Sequence, residues 1–390
     1  MQKSDFSTRA PGKLISTSGP SGAYLAFVPD PLPRGLDLPP TTIGLLADAS
    51  TAIGELQGVG RMLPNPDLLI GSFLRREAVS SSRIEGIDTN FQQLLLFEIE
   101  SGSEAVNSDP QEVVNYIDAL RFSLERLKTL PVSLRLIRET HARLLAGVRG
   151  EQYRPGEFRD TQNMIARPGE TPADARFVPP PVESMTEALN DLERYMAYPP
   201  GMPVLVELAL IHYQFETIHP FLDGNGRMGR LLLTLLLCER GCLSTPLLYL
   251  SSYLERNKQA YVDHLLSVSR TGDWIDWINF FLRGVAIQSR MAIAKAAELL
   301  DLWRTYRDLV QTRYNSSNML KLIDSLFDRP AITIRQAALV EGITFAAAQR
   351  HIDRLHAEGV LKEVSGKTKN RIYVAEQIIE IVTRPETDAG

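Results

Sequence analysis

The sequence contains only two cysteines, no excess of basic residues and no long hydrophobic segment. Cys238 and Cys242 lack the histidine and cysteine companions of a zinc site, and a secreted disulfide framework needs more of them. The formal net charge of -5 argues against a nucleic-acid or membrane surface along the whole chain, while a local one stays open. The longest apolar run, LLLTLLLC at 231–238, is too short to span a membrane.

The first residues, MQKSDFSTRAPGK, also lack the apolar core of a signal peptide. Two isolated cysteines are typical of a protein in a reducing compartment, so we expect a soluble cytoplasmic protein. Hydrophobic residues make up 44% and charged residues 23% of the 390 positions, which disfavours fibrous and disordered classes. At roughly 100 to 200 residues per domain, this length predicts two or three domains.

The spacing of apolar residues predicts a mainly α-helical protein. Residues 1 to about 45 are rich in Pro and Gly and are predicted to form an extended arm. Beyond them, apolar residues recur at intervals of three and four, as they do on one face of a helix. The predicted helices are 42–59, 67–77, 90–100, 111–128, 133–146, 182–197, 203–218, 226–240, 256–269, 273–289 and 291–314.

Two segments depart from this helical pattern. Residues 156–181 have two extended pieces around a turn-rich middle, which predicts a hairpin between helices. From residue 319 onward, three short helical patterns precede two alternating strands, an order that resembles a winged helix-turn-helix domain. We therefore divide the chain into an N-terminal arm and helical region at 1–110, a core at 111–300, and a linker helix with the winged domain at 301–390.

The stretch HPFLDGNGRMGR at 219–230 places polar and flexible residues directly before a strongly apolar helix. His219 precedes Pro220, whose ring disfavours the helical conformation in the residue before it, so the preceding helix is predicted to end there. With an ordinary pKa near 6.5, an imidazole at that helix end can accept a proton at neutral pH. His219 is therefore a candidate general base, although a lone histidine is more often structural.

The residues after His219 indicate a site for phosphate. The glycines of DGNG allow successive N–H groups to point the same way, and the helix that follows adds its own unpaired N–H groups. Arg227 and Arg230 share one side of that helix's first turns, where cations are unfavourable unless an anion is bound. Asp223 can hold Mg²⁺ together with phosphate oxygens. This combination indicates phosphoryl or nucleotidyl transfer.

The same stretch resembles the complete signature of the Fic proteins, His-Pro-Phe-x-Asp/Glu-Gly-Asn-Gly-Arg-x-x-Arg, with every defined position present. The resemblance covers most of the chain, from the N-terminal arm through the helical core. It implies a mainly α fold with a Fic catalytic core and a β-hairpin flap, ahead of the winged domain. It also implies transfer of AMP from ATP to a Ser, Thr or Tyr hydroxyl of a protein, this chain itself among the candidates, with pyrophosphate leaving.

The resemblance implies a role for each residue of the motif. His219 would deprotonate the incoming hydroxyl, Asp223 would hold Mg²⁺, and Phe221 would anchor the loop in the core. Gly224 to Gly226 would form the anion hole, while the two arginines would contact the phosphates, Arg230 the terminal one. The implied contacts to ATP are Gly224, Asn225, Gly226, Arg227, Met228, Gly229 and Arg230.

The resemblance extends to two segments outside the motif. FRDTQNMIARPGE looks like the flap that pairs with the target's backbone in Fic proteins, although an ordinary surface loop is the alternative. Within it, Arg159 and Gln162 would support the base of the hairpin. Downstream, Asn257 and Tyr261 would close the adenosine pocket, although Tyr261 also has the spacing of a core residue. The implied nucleotide contacts in the flap are Ile165, Ala166 and Arg167.

The stretch SSSRIEGI at 80–87 resembles the inhibitory motif of the same family, Ser/Thr-x-x-x-Glu-Gly/Asn, here Ser81 to Gly86. By itself it is a helix-capping pattern. A carboxylate of Glu85 that reaches Arg230 would form a charge-assisted pair and take the arginine away from the terminal phosphate. The resemblance therefore implies intramolecular inhibition by Ser81, Glu85 and Gly86.

The predicted winged domain leaves a rival function open. The second helix of its helix-turn-helix pair and the wing carry polar and basic residues that could contact DNA. A transcription regulator with a nucleotide-sensing core is therefore the alternative function. Asp353 and Glu358 on the same helix argue against DNA. Removal of AMP, transfer of another phosphate-containing group and a homodimer also stay open. The candidate contacts are Gln349, Arg350 and Arg354 of the helix, and Lys367, Lys369 and Arg371 of the wing.

Overall fold

The computed structural model describes residues 1–19, 22–62, 67–100, 108–167 and 169–385. Its first part is extended, as predicted, but it also contains a pairing that the sequence pattern did not indicate. Strands β1 (Gly12–Gly19) and β2 (Gly22–Pro29) form an antiparallel hairpin in which Gly12 pairs with Pro29. Regular helix begins at Pro40, which suits a first helical position because its missing N–H would have no partner there.

The helical core surrounds two helices that are buried on almost every side. Both α7 and α8 consist largely of apolar residues, so they lie at the centre and the more polar helices cover them. The helices in chain order are α1 (Pro40–Met62), α2 (Asp67–Ile84), α3 (Phe91–Glu100), α4 (Asp109–Arg126), α5 (Leu134–Leu144), α6 (Val182–Ala197), α7 (Val204–Ile218), α8 (Asn225–Glu239), α9 (Ser251–Arg256), α10 (Lys258–Thr271) and α11 (Trp274–Tyr314).

The prediction of two separate helices at 273–289 and 291–314 is wrong, since α11 is one helix of 41 residues. No proline or turn sequence interrupts residues 289–291, and the helix ends only where Asn315 takes a left-handed conformation. It runs across residue 300, where a domain boundary was predicted, and that division stays a prediction. Within the described ranges, neither α11 nor another helix is long and apolar enough to cross a membrane.

The predicted hairpin at 156–181 is extended but sparsely paired. One antiparallel bridge joins Ile165 and Phe177, with N–H to O distances of 2.8 and 3.2 Å. On one side of this pair Pro179 has no N–H to donate, and on the other side the N–H groups of Arg167 and Ala175 bind Glu170 and Thr171, so among the described residues the ladder ends after one pair. Backbone groups of the flap are therefore left for other partners.

The C-terminal elements form a small unit of helices and a three-stranded antiparallel sheet. Its strands lie in the order β3-β5-β4, and its sequence of helix, strand, helix, helix, strand, strand agrees with the element order of the predicted winged domain. Strand β3 and the last helix were not predicted. The elements are α12 (Ser317–Asp328), β3 (Ala331–Thr333), α13 (Ile334–Glu341), α14 (Phe345–Ala357), β4 (Lys362–Glu363), β5 (Ile372–Val374) and α15 (Glu376–Thr383).

Helix α2 joins this C-terminal unit to the core. The Ser72 hydroxyl donates to the Phe327 carbonyl at 2.7 Å, and Arg75 Nη1 donates to the Asp328 carbonyl at 2.7 Å. Both side chains are fully buried, and Arg75 also forms a two-point pair with Glu98 of α3. These contacts satisfy the last carbonyl groups of α12, so the C-terminal unit is held directly against α2.

We expect Gly71→Ala to destabilise this junction. A methyl group at Gly71 would lie 2.6 Å from the backbone oxygen of Asp328 and would also collide with its carboxylate. Such overpacking typically costs about 1 to 3 kcal/mol. Gly54→Ala is the matched control, because Gly54 lies in α1 with open space around it, and alanine there should raise stability by up to about 1 kcal/mol. Urea unfolding of both variants measures the difference, and equal stability would contradict this packing.

Candidate active site

His219 stands at the C-terminal end of α7 in a strained backbone conformation. Its φ of 49° is left-handed, and its N–H donates to the Phe215 carbonyl, which closes the helix before Pro220. The ring Nδ1 lies 3.2 Å from the Glu216 carbonyl. Burial lowers the pKa of His219 to about 4, so the imidazole is neutral at pH 7 and can accept a proton.

The base of the flap holds His219 in this conformation. Arg159 Nε donates to the His219 carbonyl at 3.0 Å, and its Nη2 donates to the Pro180 carbonyl at 2.5 Å. Gln162 donates to the Pro179 carbonyl at 3.0 Å, so both predicted supports lie at the hairpin base. Asn163, which was not predicted, donates to the carbonyls of His219 and Phe221 at 3.0 and 2.8 Å.

Asn225 closes the loop after His219. Its Oδ1 accepts from the Phe221 N–H and its Nδ2 donates to the Phe221 carbonyl, both at 2.8 Å. This side chain therefore points back into the loop. Phe221 is fully buried, as expected, and its ring stacks on His141 with a centroid distance of 3.6 Å.

His141 of α5 supports the loop from below and was missed in the sequence. Its Nδ1 accepts from the Gly156 N–H at 2.9 Å, so the proton must lie on Nε2, which donates to the Asp223 carbonyl at 2.9 Å. Burial lowers the pKa of His141 to about 4, and the ring is neutral at pH 7. No local pattern marks this histidine, because its partners lie elsewhere in the chain.

Helix α8 begins beside His219 and presents its N-terminus to the site. Gly224 caps it with a left-handed φ of 75°, and the N–H groups of the first turn have no partner within the helix. A Cβ on Gly226 would collide with the Glu85 carboxylate and lie 2.9 Å from Arg230 Nη1. The carboxylate of Glu85 therefore rests against this helix N-terminus, in the position that a bound anionic ligand would take.

Arg230 is satisfied by residues at the C-terminal end of α2. Its Nε donates to Ser81 Oγ and its Nη2 to the Ser81 carbonyl, both at 2.9 Å, while Nη2 lies 2.6 Å from Glu85 Oε1. The Arg230 side chain is 2% exposed and that of Glu85 37%. Burial alone would raise the pKa of Glu85, but Arg230 holds it below its ordinary value. Gly86, with φ 84°, turns the chain away directly after Glu85.

Arg227 and Arg230 bind different helices. Arg227 Nη1 pairs with Glu112 of α4 at 2.7 Å, and Arg149 pairs with the other oxygen of Glu112 at 2.7 Å. Among the described residues, the buried Nε of Arg227 has no hydrogen-bond partner. Glu112 was missed in the sequence, and the neighbouring Asp223 lies 3.9 Å from Arg227 Nη2.

Asp223 has the surroundings that a Mg²⁺ ligand needs. Its side chain is 37% exposed, and Oδ1 accepts from the Gly224 N–H at 2.7 Å. Gly150 leaves room beside the second oxygen, where a methyl group would come within 2.9 Å. Because Mg²⁺ is usually held by one or two carboxylates with phosphate oxygens and water, this single carboxylate fits the ion together with a nucleotide.

The remaining motif positions lie in the core around Arg230. Met228 is fully buried, and Gly229 allows the Glu216 carboxyl to pack against it. Burial raises the pKa of Glu216 to about 7, and its Oε1 has no hydrogen-bond partner among the described residues. Tyr261 is 4% exposed and lies 2.8 Å from His212 Nε2, so its hydroxyl belongs to this buried network.

The other predicted nucleotide contacts are at least partly exposed. Asn257 is half-buried between α9 and α10, where its side chain donates to the Tyr253 carbonyl at 2.9 Å. Ile165 pairs with Phe177, and Ala166 packs beside the first strands. Arg167 is exposed, with its N–H donating to Glu170 at 2.8 Å.

Two family models match this chain. The model described as Fic/DOC family N-terminal matches residues 43–125, and the model described as Fic/DOC family matches residues 131–237. The first match contains Ser81 and Glu85, while the second contains His219 and Arg230.

Curated relatives carry the name protein adenylyltransferase. The fic-1 protein adenylyltransferase of Caenorhabditis briggsae is 35% identical over 133 residues, which are 33% of this chain and 24% of the relative. A probable protein adenylyltransferase of Aquifex aeolicus is 26% identical over 204 residues, 52% of this chain and 58% of the relative. This chain therefore spans less than two thirds of the length of either relative.

Solved structures share the fold. A Fic family protein from Desulfovibrio desulfuricans superposes with a TM-score of 0.56 over 87% of this chain and 97% of that chain, at 19% identity. Fic-1 from Caenorhabditis elegans superposes with a TM-score of 0.52 over 67% of this chain and 75% of that chain, at 22% identity. At such identities the similarity concerns the fold alone.

Acidification is expected to destabilise the protein through His141. An unfolded histidine binds a proton near pH 6.5, whereas the lowered pKa of folded His141 delays protonation until about pH 4. The unfolded state therefore binds more protons in this window. Stability is full above pH 6.5 and falls as the pH falls toward 4, by about 2 kcal/mol at pH 5 for this residue. Urea unfolding at pH 7 and pH 5 measures the loss.

In His141→Gln the loss between pH 7 and pH 5 should shrink by about 2 kcal/mol. This variant is also less stable at pH 7 because the ring contacts are gone, so the change with pH is the quantity to compare. His264→Gln, on the half-buried surface of α10, is the control and should keep the wild-type loss. An unchanged pH dependence in His141→Gln would show that this ring is not buried in its neutral form.

Proposed function

Because this chain belongs to the Fic/DOC family, we propose that it transfers AMP from ATP to a Ser, Thr or Tyr hydroxyl of a protein. One observation carries the proposal. A neutral histidine, His219, stands beside the N-terminus of α8, against which a carboxylate already rests. The Glu85 carboxylate stands in for a phosphate oxygen of the nucleotide.

The proposed reaction follows from the positions of these groups. His219 removes the proton from the target hydroxyl, whose oxygen attacks the α-phosphorus of ATP. The bond from that phosphorus to the bridging oxygen breaks, and pyrophosphate leaves with the electron pair. First-turn N–H groups of α8 and the Arg230 guanidinium stabilise the phosphate charge. Arg159 and Asn163, which donate to the His219 carbonyl, position the base.

In this proposal Asp223 holds Mg²⁺, which neutralises phosphate charge when it is bound. Asp223 is itself oriented by the chain, because Gly224 donates to its carboxylate and His141 binds its carbonyl. Such supporting contacts keep a ligand carboxylate in one orientation.

The flap supports a protein as the acceptor. With one bridged pair between Ile165 and Phe177, other backbone groups of the flap remain for an extended segment of a target. Backbone pairing orients a target hydroxyl without selecting a particular sequence. The identity of the target therefore does not follow from the site.

We further propose that Glu85 inhibits the transfer. It occupies the N-terminus of α8 and pairs with Arg230, so a terminal phosphate would have to displace a charge-assisted contact. Ser81 strengthens the inhibited arrangement by accepting two hydrogen bonds from the same guanidinium. Release requires that the end of α2 withdraws or that Glu85 is removed.

The C-terminal unit gives less support to DNA binding than the active site gives to AMP transfer. Lys367 of the wing pairs with Glu100 of α3 at 2.8 Å, so its charge already has a partner within the chain. Leu339 and Phe345 are exposed by 76% and 55% on the helix pair, where basic side chains would be needed. Arg350 and Arg354 remain on the surface of α14, so a local contact with nucleic acid is the second candidate.

His219→Ala should abolish AMP transfer and leave ATP binding nearly intact, because the base acts on the attacking hydroxyl. Loss of a positioned base typically lowers the rate by about 10²- to 10⁴-fold. Incorporation of label from α-labelled ATP with Mg²⁺ measures transfer, and calorimetry measures nucleotide affinity. His264→Ala, outside the site, should transfer at the wild-type rate. Equal labelling by His219→Ala would assign this residue a structural role.

Glu85→Gly should raise AMP transfer, since it frees Arg230 for the terminal phosphate. A hydrogen bond between charged groups contributes about 1.5 to 3 kcal/mol, which corresponds to about a 10- to 100-fold increase in rate. Glu85→Gln keeps the size of the side chain and removes its charge, so it separates charge from volume and should also activate. Rates of label incorporation across a range of ATP concentrations measure both effects.

The variant Arg230→Ala controls for this interpretation. It removes the inhibitory partner and the phosphate ligand together, so it should not be activated. The double variant should then behave like Arg230→Ala alone, because both residues act through one contact. Ser81→Ala should activate weakly, since the backbone carbonyl and Glu85 still bind Arg230. If Glu85→Gly transfers at the wild-type rate at every ATP concentration, the inhibitory role is wrong.

A further inference from the structure

The inhibitory end of α2 is bound not only by the arginine of α8 but also by the short helix α9 and the start of α10. Glu77 Oε1 accepts from the Ser251 hydroxyl at 2.5 Å, and its Oε2 accepts from the Ser251 N–H at 3.2 Å. One turn further along α2, the hydroxyls of Ser80 and Ser252 lie 3.2 Å apart. All four residues are buried. This side of α2 is therefore bonded to α9 directly ahead of the inhibitory motif.

Lys258, the first residue of α10, continues this attachment at the last residue of α2. Its Nζ donates to the Ile84 carbonyl at 2.5 Å. The last four carbonyls of a helix have no partner within it, and they carry the negative end of the helix dipole. A lysine at this position therefore supplies both a hydrogen bond and a favourable charge.

Two cations from different helices thus share the C-terminal carbonyls of α2. Arg230 Nη2 binds the Ser81 carbonyl, while Lys258 binds that of Ile84. The Ile84 carbonyl and the Glu85 N–H belong to one planar peptide unit. A contact that holds this carbonyl therefore also fixes the direction in which Glu85 leaves the helix toward Arg230.

The neighbouring polar contacts of Arg83 hold this end of α2 less firmly. Arg83 Nη1 lies 3.8 Å from Glu255 of α9, and both side chains are partly exposed, so this pair contributes little. Arg83 Nε donates to the Thr89 carbonyl at 3.2 Å, within the chain that directly follows α2. Lys258 is itself exposed, so its ammonium group can be removed without opening a cavity in the core.

We propose that Lys258 is a positioning residue of the inhibition, which holds the end of α2 where Glu85 reaches Arg230. The inference rests on the proposed inhibition by Glu85, since Lys258 acts through that carboxylate and not on the reacting atoms. Without its ammonium group, the Ile84 carbonyl is left to water and the end of α2 opens more readily. Asn257, the residue before Lys258, is a predicted adenosine contact, so inhibition and nucleotide binding have to be measured separately.

Hydrogen–deuterium exchange without nucleotide measures the attachment independently of any transfer. The N–H groups of residues 85–87 donate to carbonyls at the end of α2. Lys258→Met keeps the length of the side chain and removes its donor. We expect residues 85–87 to exchange about two- to tenfold faster in this variant, as for loss of a partly solvated hydrogen bond at a helix end. Lys128→Met, at another exposed lysine, is the matched control and should exchange like wild type. Unchanged exchange at 85–87 in Lys258→Met would overturn the proposal.

Rates of AMP transfer test the connection to Glu85. Lys258→Met should incorporate label about two- to tenfold faster than wild type, because the released fraction of a largely inhibited protein rises by the factor lost in the contact. Lys258→Arg keeps a cationic donor and should return the rate to that of wild type. Adding Lys258→Met to Glu85→Gly should change neither the rate nor the KM for ATP, since both residues act through one contact. A higher KM for ATP in that double variant would assign Lys258 to nucleotide binding and contradict the proposal.

The two proposals about the end of α2 fail in different ways. If Glu85→Gly is activated and Lys258→Met transfers at the wild-type rate, the role of Lys258 is wrong and the inhibition by Glu85 stands. If Glu85→Gly transfers at the wild-type rate, the inhibition itself is wrong. Lys258 then only caps α2, which faster exchange at 85–87 in Lys258→Met would still show.

Discussion

Arg230 is a buried charge at the first turns of the central helix α8, and the arrangement of the N-terminal helices depends on how that charge is satisfied. A guanidinium removed from water needs hydrogen-bond partners and an opposite charge. Both come from the end of α2, through Ser81 and Glu85. Because a phosphate would satisfy the same groups, the nucleotide of the proposed reaction would compete with the end of α2 for one position in the core.

The loop from His219 to Asn225 is kept rigid by side chains that do not face the site. Asn163 and Arg159 bind its carbonyls from the flap, and His141 supports it from α5. A left-handed histidine costs energy and persists only where its surroundings hold it. The residues that could act on a substrate are thereby separated from those that position them, as a preorganised site requires.

Helix α2 connects two regions of the molecule. One face meets Arg230 through Ser81, and another holds the end of α12 through Ser72 and Arg75. A shift of the whole helix that withdrew Glu85 would therefore also change the contacts with α12. The C-terminal unit is thus attached to the helix that carries Ser81.

The motif at 219–230 determined by itself that a helix ends at His219 and that a new helix N-terminus, with unpaired N–H groups, follows directly. Proline, glycine and two arginines impose this locally, and the buried helices α7 and α8 follow from their apolar composition. The break between 289 and 291 was predicted wrongly, because apolar spacing alone does not distinguish one long helix from two. The pairing of β1 with β2 and the sparse bridging of the flap were likewise not visible in local patterns.

Tertiary structure decided which charges meet. Arg227 pairs with Glu112, which also binds Arg149, although Arg227 stands three residues from Arg230 in the same motif. The sequence left Tyr261 as either an adenosine contact or a core residue, and only the fold shows its hydrogen bond to His212. Likewise, only the fold brings His141 to Gly156 and Asp223. Sequence patterns report the conformations that a short segment favours. They do not report which distant side chain satisfies a buried polar atom, because that depends on how the helices pack.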